Sequence, residues 1–306
     1  MITSAQTVTR QTTPRRSSAV PLAHIKNDYM TMSDEESYRA LKRTHQQLLR
    51  DWKRKKGLCI ICAEREGNNR DHLPPQVLFP STIRTQNTEL FTFPVCPQCN
   101  GASHDEDFLF SVYLSFGLNQ ESIKNDQEPT DPDLLALYLQ SQGHFHDPNE
   151  STRRIRLLQG FIGKDPHTGR AAINVGRLPI NQTLTKIAKS IYWLNTGGDI
   201  LQSYNPGWWI HHDIDTSKEL FIETHLKTSH AELHWGDRFI SHFSIGHQEN
   251  GVGGFISCSL HFYTNRAVGK GMSWLVIASP SNTSVNGKNL YELSASLWGA
   301  ATIKPR

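Results

Sequence analysis

Two short pairs, Cys59-Ile60-Ile61-Cys62 and Cys96-Pro97-Gln98-Cys99, carry the densest chemistry in the chain. A two-residue gap lets both sulfurs of a pair reach one ion, and four thiolates form the tetrahedral set that Zn2+ takes at about 2.3 Å. A redox Cys-x-x-Cys requires a thioredoxin-like strand-helix-strand context, and neither pair has one. Structural zinc is therefore expected at Cys59, Cys62, Cys96 and Cys99. The fifth cysteine, Cys258, falls on the apolar side of an alternating segment and reads as a buried thiol.

Between the pairs lie 33 residues that include Arg70-Asp71-His72-Leu73-Pro74-Pro75, a loop to about Thr88, and the strand-like run Leu90 to Val95. Asn100 follows Cys99 directly. Ser103-His104-Asp105-Glu106 has the form of a capping box, and Phe108, Leu109, Val112, Tyr113 and Phe116 continue it as a helix, so the helix is expected to begin near residue 104. The order is pair, short strand with Asp-His, loop, strand, pair, helix.

In this order and spacing, residues 58 to 116 resemble the HNH, or ββα-metal, nucleases, and within them the branch with a four-cysteine zinc frame typified by phage endonuclease VII. The resemblance implies that His72 is the general base that activates water for attack on phosphorus. It implies that Asp71 and Asn100 hold one catalytic divalent ion, Mg2+ or Mn2+, with His104, four residues after Asn100, as a further metal ligand or phosphate contact. Oxygen donors suit a hard cation and thiolates suit zinc, so two different metals can coexist. Glu106 is an alternative metal ligand; Asp105, Glu106 and Asp107 are otherwise acids of a first helical turn. The chain departs from the pattern in two places: the middle asparagine of HNH motifs has only Asn87 as a candidate, nine residues before Cys96, and the loop is short of Gly and rich in Pro, with Pro74, Pro75 and Pro80. A further demand comes from geometry. Neighbours on a regular strand face opposite sides, so Asp71 and His72 share a site only if the strand ends or bulges there, and Pro74-Pro75 favours an early end.

The elements that must position these residues set the fold class. We expect an α+β protein with a basic N-terminal helix, a zinc-stapled ββα-metal domain of treble-clef-like form, and a mixed, β-rich C-terminal domain. The expected divisions are a disordered tail (1–32), a basic amphipathic helix (33–57), the nuclease-like domain (58–117), a linker with a short helix at Leu134 to Leu139 (118–150), and a C-terminal domain of unassigned role (151–306). Residues 1 to 56 hold twelve Lys or Arg against five Asp or Glu, a local charge of +7 in a chain whose net charge is +3. Ser33-Asp34-Glu35-Glu36 predicts a cap for the basic helix, which presents Tyr38, Leu41, His45, Leu48 and Trp52 on one face and ends in Lys53-Arg54-Lys55-Lys56. Such a helix either lays phosphate-binding charge beside Cys59 or is simply solvated, its basic end suiting the helix dipole. Downstream, Leu184, Ile187, Ile191 and Leu194 predict a helix stopped by Gly197-Gly198, and Phe239 to Ile245, Ile256 to Phe262 and Trp274 to Ile277 predict strands, with Asn286-Gly287 as a hairpin turn.

Other chemistries fit less well. Eight histidines lie between His211 and His261, but His230-x-x-x-His234 lacks the adjacent glutamate of a zincin, so these are expected to be structural or solvated. Trp208, Trp209 and Trp235 are expected in the core rather than stacked on bases. A zinc deaminase needs His-x-Glu upstream of Pro-Cys-x-x-Cys, whereas here His104-Asp105-Glu106 lies downstream. No apolar run is long enough for a membrane span, and paired cysteines without an apolar leader point to a reducing, cytoplasmic setting. The expected partner is nucleic acid, DNA first, with a homodimer favoured for cutting both strands. The alternative is a zinc-dependent nucleic-acid-binding protein that does not cut.

Overall fold

The computed structural model describes residues 35–81, 90–119, 125, 131–146, 148–164, 171–173, 180–201, 208–213, 231–235, 238–247, 254–263, 272–278, 284–285 and 288–289. The Ser33 cap, the tail before it and Asn87 lie outside these residues. Helix α1 (Glu35–Lys55) leads through the first cysteine pair to a hairpin of β1 (Asn69–Leu73) and β2 (Phe91–Val95), and α2 (Pro97–Leu118) follows at once. Next come α3 (Pro132–His146), α4 (Pro148–Gln159), the small pair β3 (Ile162–Lys164) and β4 (Ala171–Ile173), and α5 (Asn181–Asn195). A five-stranded antiparallel sheet closes the fold in the order β5-β9-β8-β7-β6, from β5 (Trp208–Asp213), β6 (Ala231–Trp235), β7 (Phe239–His247), β8 (Gly254–Phe262) and β9 (Met272–Ala278). Two short strands, β10 (Ser284–Val285) and β11 (Lys288–Asn289), pair around the expected Asn286-Gly287 turn, which is itself outside the described residues. The protein is α+β.

Three prolines start helices instead of stopping them. Pro97, Pro132 and Pro148 each occupy the first position of a helix, where the missing N–H is not needed and the fixed φ is already helical. This corrects two expectations. Helix α2 begins at Pro97, not near residue 104, because the Cys96 side chain accepts from Cys99 N and caps the first turn. The short helix expected at Leu134 to Leu139 runs from Pro132 to His146, its start fixed by Asp131 Oδ1, which accepts from the backbone of Asp133 and Leu134 at 2.9 and 3.1 Å. Helix α4 then runs across residue 150, where composition suggested a boundary.

One core joins these parts. Helix α5 is buried over nearly its whole length, from Thr183 to Leu194, and packs on α2, β1, β8 and β9. Gly197, at φ +75°, turns the chain out of it in the left-handed region that glycine adopts without penalty. Phe110 of α2 meets Phe262 of β8 edge-on at 5.3 Å, and the Tyr263 hydroxyl donates to Leu78 O at 2.7 Å. Cys258 is fully buried among the inward residues of β8, and burial pushes its thiol up. No helix among the described residues is long and apolar enough to cross a membrane.

Candidate metal centre and the hairpin-helix junction

The first cysteine pair sits on a tight turn. Ala63 N donates to Cys59 O at 2.8 Å, Ala63 itself takes φ +57°, and Cys59 N donates to Arg65 O. Ile60 N donates to Pro94 O at 3.1 Å, which fastens this turn to β2. The second pair opens α2, where Asn100 N donates to Cys96 O at 3.0 Å. The four sulfurs consequently gather within 4.8 Å of one another. A tetrahedron with bonds of about 2.3 Å has edges of about 3.8 Å, so small side-chain adjustments would close the set on a metal such as zinc.

Positive groups surround the sulfurs. Arg65 directs Nε to Cys96 Sγ at 3.2 Å and Nη2 to Cys99 Sγ at 3.5 Å. Lys189, buried on α5, donates to Ile61 O at 2.7 Å; burial lowers its pKa while the nearby thiols work the other way. Burial also opposes ionisation of Cys96, but the Arg65 donor and the Cys99 N–H outweigh it and bring that thiol down to about 6. Cys99 is pushed up to about 12, mainly by burial. Thiolate charge thus concentrates on part of the cluster, and ionising all four needs a cation among them.

The hairpin beside this centre is regular. Asp71 pairs with Phe93, His72 with Thr92 and Leu73 with Phe91, without a bulge. Asp71, Leu73, Phe91, Phe93 and Val95 therefore share the inner face, and Arg70, His72, Thr92 and Pro94 share the outer one. Asp71 is buried and His72 is half-buried. The early strand end that would let both share one site does not occur before Leu73.

Inside, Asp71 meets a cluster that the motif did not announce. Its Oδ1 accepts from His72 N at 2.7 Å, and its Oδ2 accepts from Lys186 Nζ at 2.8 Å. Lys186, only 2% exposed, also donates to Asp107 Oδ2 at 2.5 Å and to Ser103 Oγ at 3.2 Å. Thr183 Oγ1 donates to Asp107 Oδ1 at 2.8 Å. Burial raises the Asp107 pKa against the pull of Lys186. Ser103 donates towards Asn100 O at 3.2 Å and stands 3.5 Å from Asp71 Oδ2, so one side chain links Asp71 to the first turn of α2.

The oxygens of Asp71, Asp107 and Ser103 are the donor type a hard cation takes, and the cation among them is the Lys186 ammonium. Among the remaining expected site residues, Asn100 is half-buried beside Ser103 and His104 is exposed. Asp105 pairs with Arg153, and Glu106 accepts from Gln182 N at 3.0 Å, its carboxyl raised to about 7 mainly by burial. In the sheet, His242 and His261 meet edge-on at 5.3 Å, with His261 Nε2 3.0 Å from the Ser259 hydroxyl. The side chains of His211, His212, His234, Trp208, Trp209 and Trp235, and all of His230, lie outside what is described.

Comparison with protein-family models, curated proteins and solved structures gives no match to this chain.

Proposed function

We propose that this chain is a zinc-stapled nucleic-acid hydrolase of HNH type, acting on DNA. The observation that carries the reading is the Ser103 hydroxyl. It lies within 3.5 Å of Asp71 Oδ2 and donates to the backbone carbonyl of Asn100, so one hydroxyl bridges the hairpin aspartate to the first turn of α2, beside the cysteine frame. His72 is the general base, its half-buried imidazole on the outer face of β1 while Asp71 lies on the inner one, so in this reading the strand rearranges at Asp71-His72 when the ion binds. Asp71 and Asn100 would hold the divalent ion, Mg2+ or Mn2+, in place of the Lys186 ammonium now on Asp71 Oδ2, and the ion when bound would stabilise charge on the phosphate and the leaving oxygen. Zinc at Cys59, Cys62, Cys96 and Cys99 is structural, fixing hairpin against helix. A homodimer in the cytoplasm is the working form in this reading.

A second reading is favoured by one specific contact. With Lys186 on Asp71 Oδ2, the aspartate is already neutralised, and the unit then binds nucleic acid without cutting it. The two readings separate in a cleavage panel over plasmid, linear, single-stranded and branched DNA and RNA, with Mg2+ or Mn2+. The hydrolase reading expects at least one form to be cut, and His72→Ala to lower the rate by about 100-fold or more with zinc content unchanged. If zinc-loaded protein binds these substrates and cuts none, the second reading stands.

A further inference from the structure

A cleft of about 260 Å3 opens on the outer side of the hairpin, where the end of α1 meets the segment that follows the first cysteine pair. Lys53 and Lys56 reach it from the helix, and Asn68, Asn69 and Arg70 from the strand entry, fifteen or so residues further along. All five are exposed. None of the three cations pairs with a carboxylate among the described residues, and Glu66 is the single acid on the lining, so the cleft is net positive.

Its floor is built around Trp52. The backbone of Gly57 and Gly67 lies so close to the indole that a Cβ at Gly57 would meet ring atoms at 2.4 to 2.7 Å, and one at Gly67 would meet Nε1 at 3.1 Å. Trp52 Nε1 is buried beneath them, without a hydrogen-bond acceptor among the described residues. Three exposed cations and two side-chain amides form a donor set for phosphodiester oxygens above this floor, where Glu66 and amide oxygens are the side-chain acceptors.

We infer that this cleft holds the backbone phosphate of the nucleic-acid strand and delivers that strand to His72. Arg70 and His72 are two residues apart on the same face of β1, about 7 Å along the strand, so a phosphate seated on Arg70 lays the adjoining chain over the imidazole. Lys53, Lys56 and Arg70 are positioning residues. The inference rests on the nucleic-acid reading above, and its test keeps the two apart.

The measurement is fluorescence anisotropy of a labelled 20-base-pair duplex and the matching single strand, from 50 to 300 mM salt. It compares the full wild-type chain, K53A/K56A/R70A, and the control R43A/R156A/K164A, which removes as many exposed charges elsewhere. Removing three phosphate contacts flattens the log-affinity against log-salt slope by about 2 to 3 and weakens duplex binding at least tenfold at 150 mM salt. The control should keep the wild-type slope. A triple variant that keeps the wild-type slope, or a control that loses as much, overturns the cleft while leaving the nuclease reading intact. A flattened slope with no cleavage of any substrate supports the cleft and removes the hydrolase. Absence of salt-dependent binding by wild type overturns both.

Discussion

Lys186 Nζ lies 2.8 Å from Asp71 Oδ2, so a lysine 115 residues downstream neutralises the aspartate of the Asp-His motif inside the core. The same ammonium serves Asp107, and the three groups form a buried triad that ties β1, α2 and α5 together. Removing one partner of a buried ion pair strands the others. Lys186→Met should therefore cost about 3–5 kcal/mol at pH 7 in urea unfolding. Combining it with Asp71→Asn and Asp107→Asn should recover much of the loss, because no unpaired charge remains. A Lys186→Met protein as stable as wild type would show that the triad contributes nothing.

His45 gives the fold a pH dependence of its own. It is 7% exposed, sits edge-on to Phe91 and Trp193, and donates Nε2–H to Thr92 O. Burial lowers its pKa below the ordinary 6.5, and Arg70 adds to this, while the Thr92 carbonyl acts in the opposite sense. The unfolded chain takes up this proton more readily than the folded one. The His45 contribution is thus complete above pH 6.5 and is lost as pH falls from there towards the lowered folded value. Urea midpoints should drop between pH 7.5 and 5.5 in wild type and drop less in His45→Gln, even if the variant is weaker at both.

The sequence made the local elements readable where spacing and chemistry coincide. Paired cysteines announced the cluster, alternation in Phe239 to Ile245 and Ile256 to Phe262 announced the two central strands, and Gly197-Gly198 announced the end of α5. The start of α2 is hidden because Ser103-His104-Asp105-Glu106 has the form of a cap yet lies inside a helix that Pro97 opens. The buried triad was the larger omission. Its signal was present as two polar stripes at i, i+3, i+7: Asn100, Ser103 and Asp107 on α2, and Thr183, Lys186 and Ser190 on α5. A polar stripe on the buried side of a helix must find a partner, but only tertiary structure says which stripe is buried and which faces which.

Arg65 should control how tightly the cysteine cluster holds its metal. Its two donors reach Cys96 and Cys99, and a group that hydrogen-bonds a metal ligand typically changes affinity by about 10- to 100-fold. Competition with a chromophoric chelator should show zinc bound that much more weakly by Arg65→Ala. Arg65→Lys should recover only part, since lysine keeps the charge and loses the fork. Cys96→Ser should release zinc altogether, and with it the join between the first turn of α2 and the hairpin.

Gly57 tests whether the Trp52 indole is fixed as a structural floor. Gly57 N donates to Trp52 O at 3.0 Å and Gly67 N donates to Gly57 O at 2.8 Å, so the backbone cannot move away from the ring without breaking these bonds. A Cβ at 2.4 Å from Trp52 Cε2 then forces the indole to shift, whereas the 3.1 Å contacts at Gly67 need only a few tenths of an ångström. Gly57→Ala is expected to cost about 1–3 kcal/mol as an overpacked site, and Gly67→Ala distinctly less. Trp52→Leu in the Gly57→Ala background should relieve the clash and return part of the stability, a positive coupling in the double-mutant cycle. Equal melting of Gly57→Ala and wild type would mean that the ring is free to leave, and the cleft would then lack its floor.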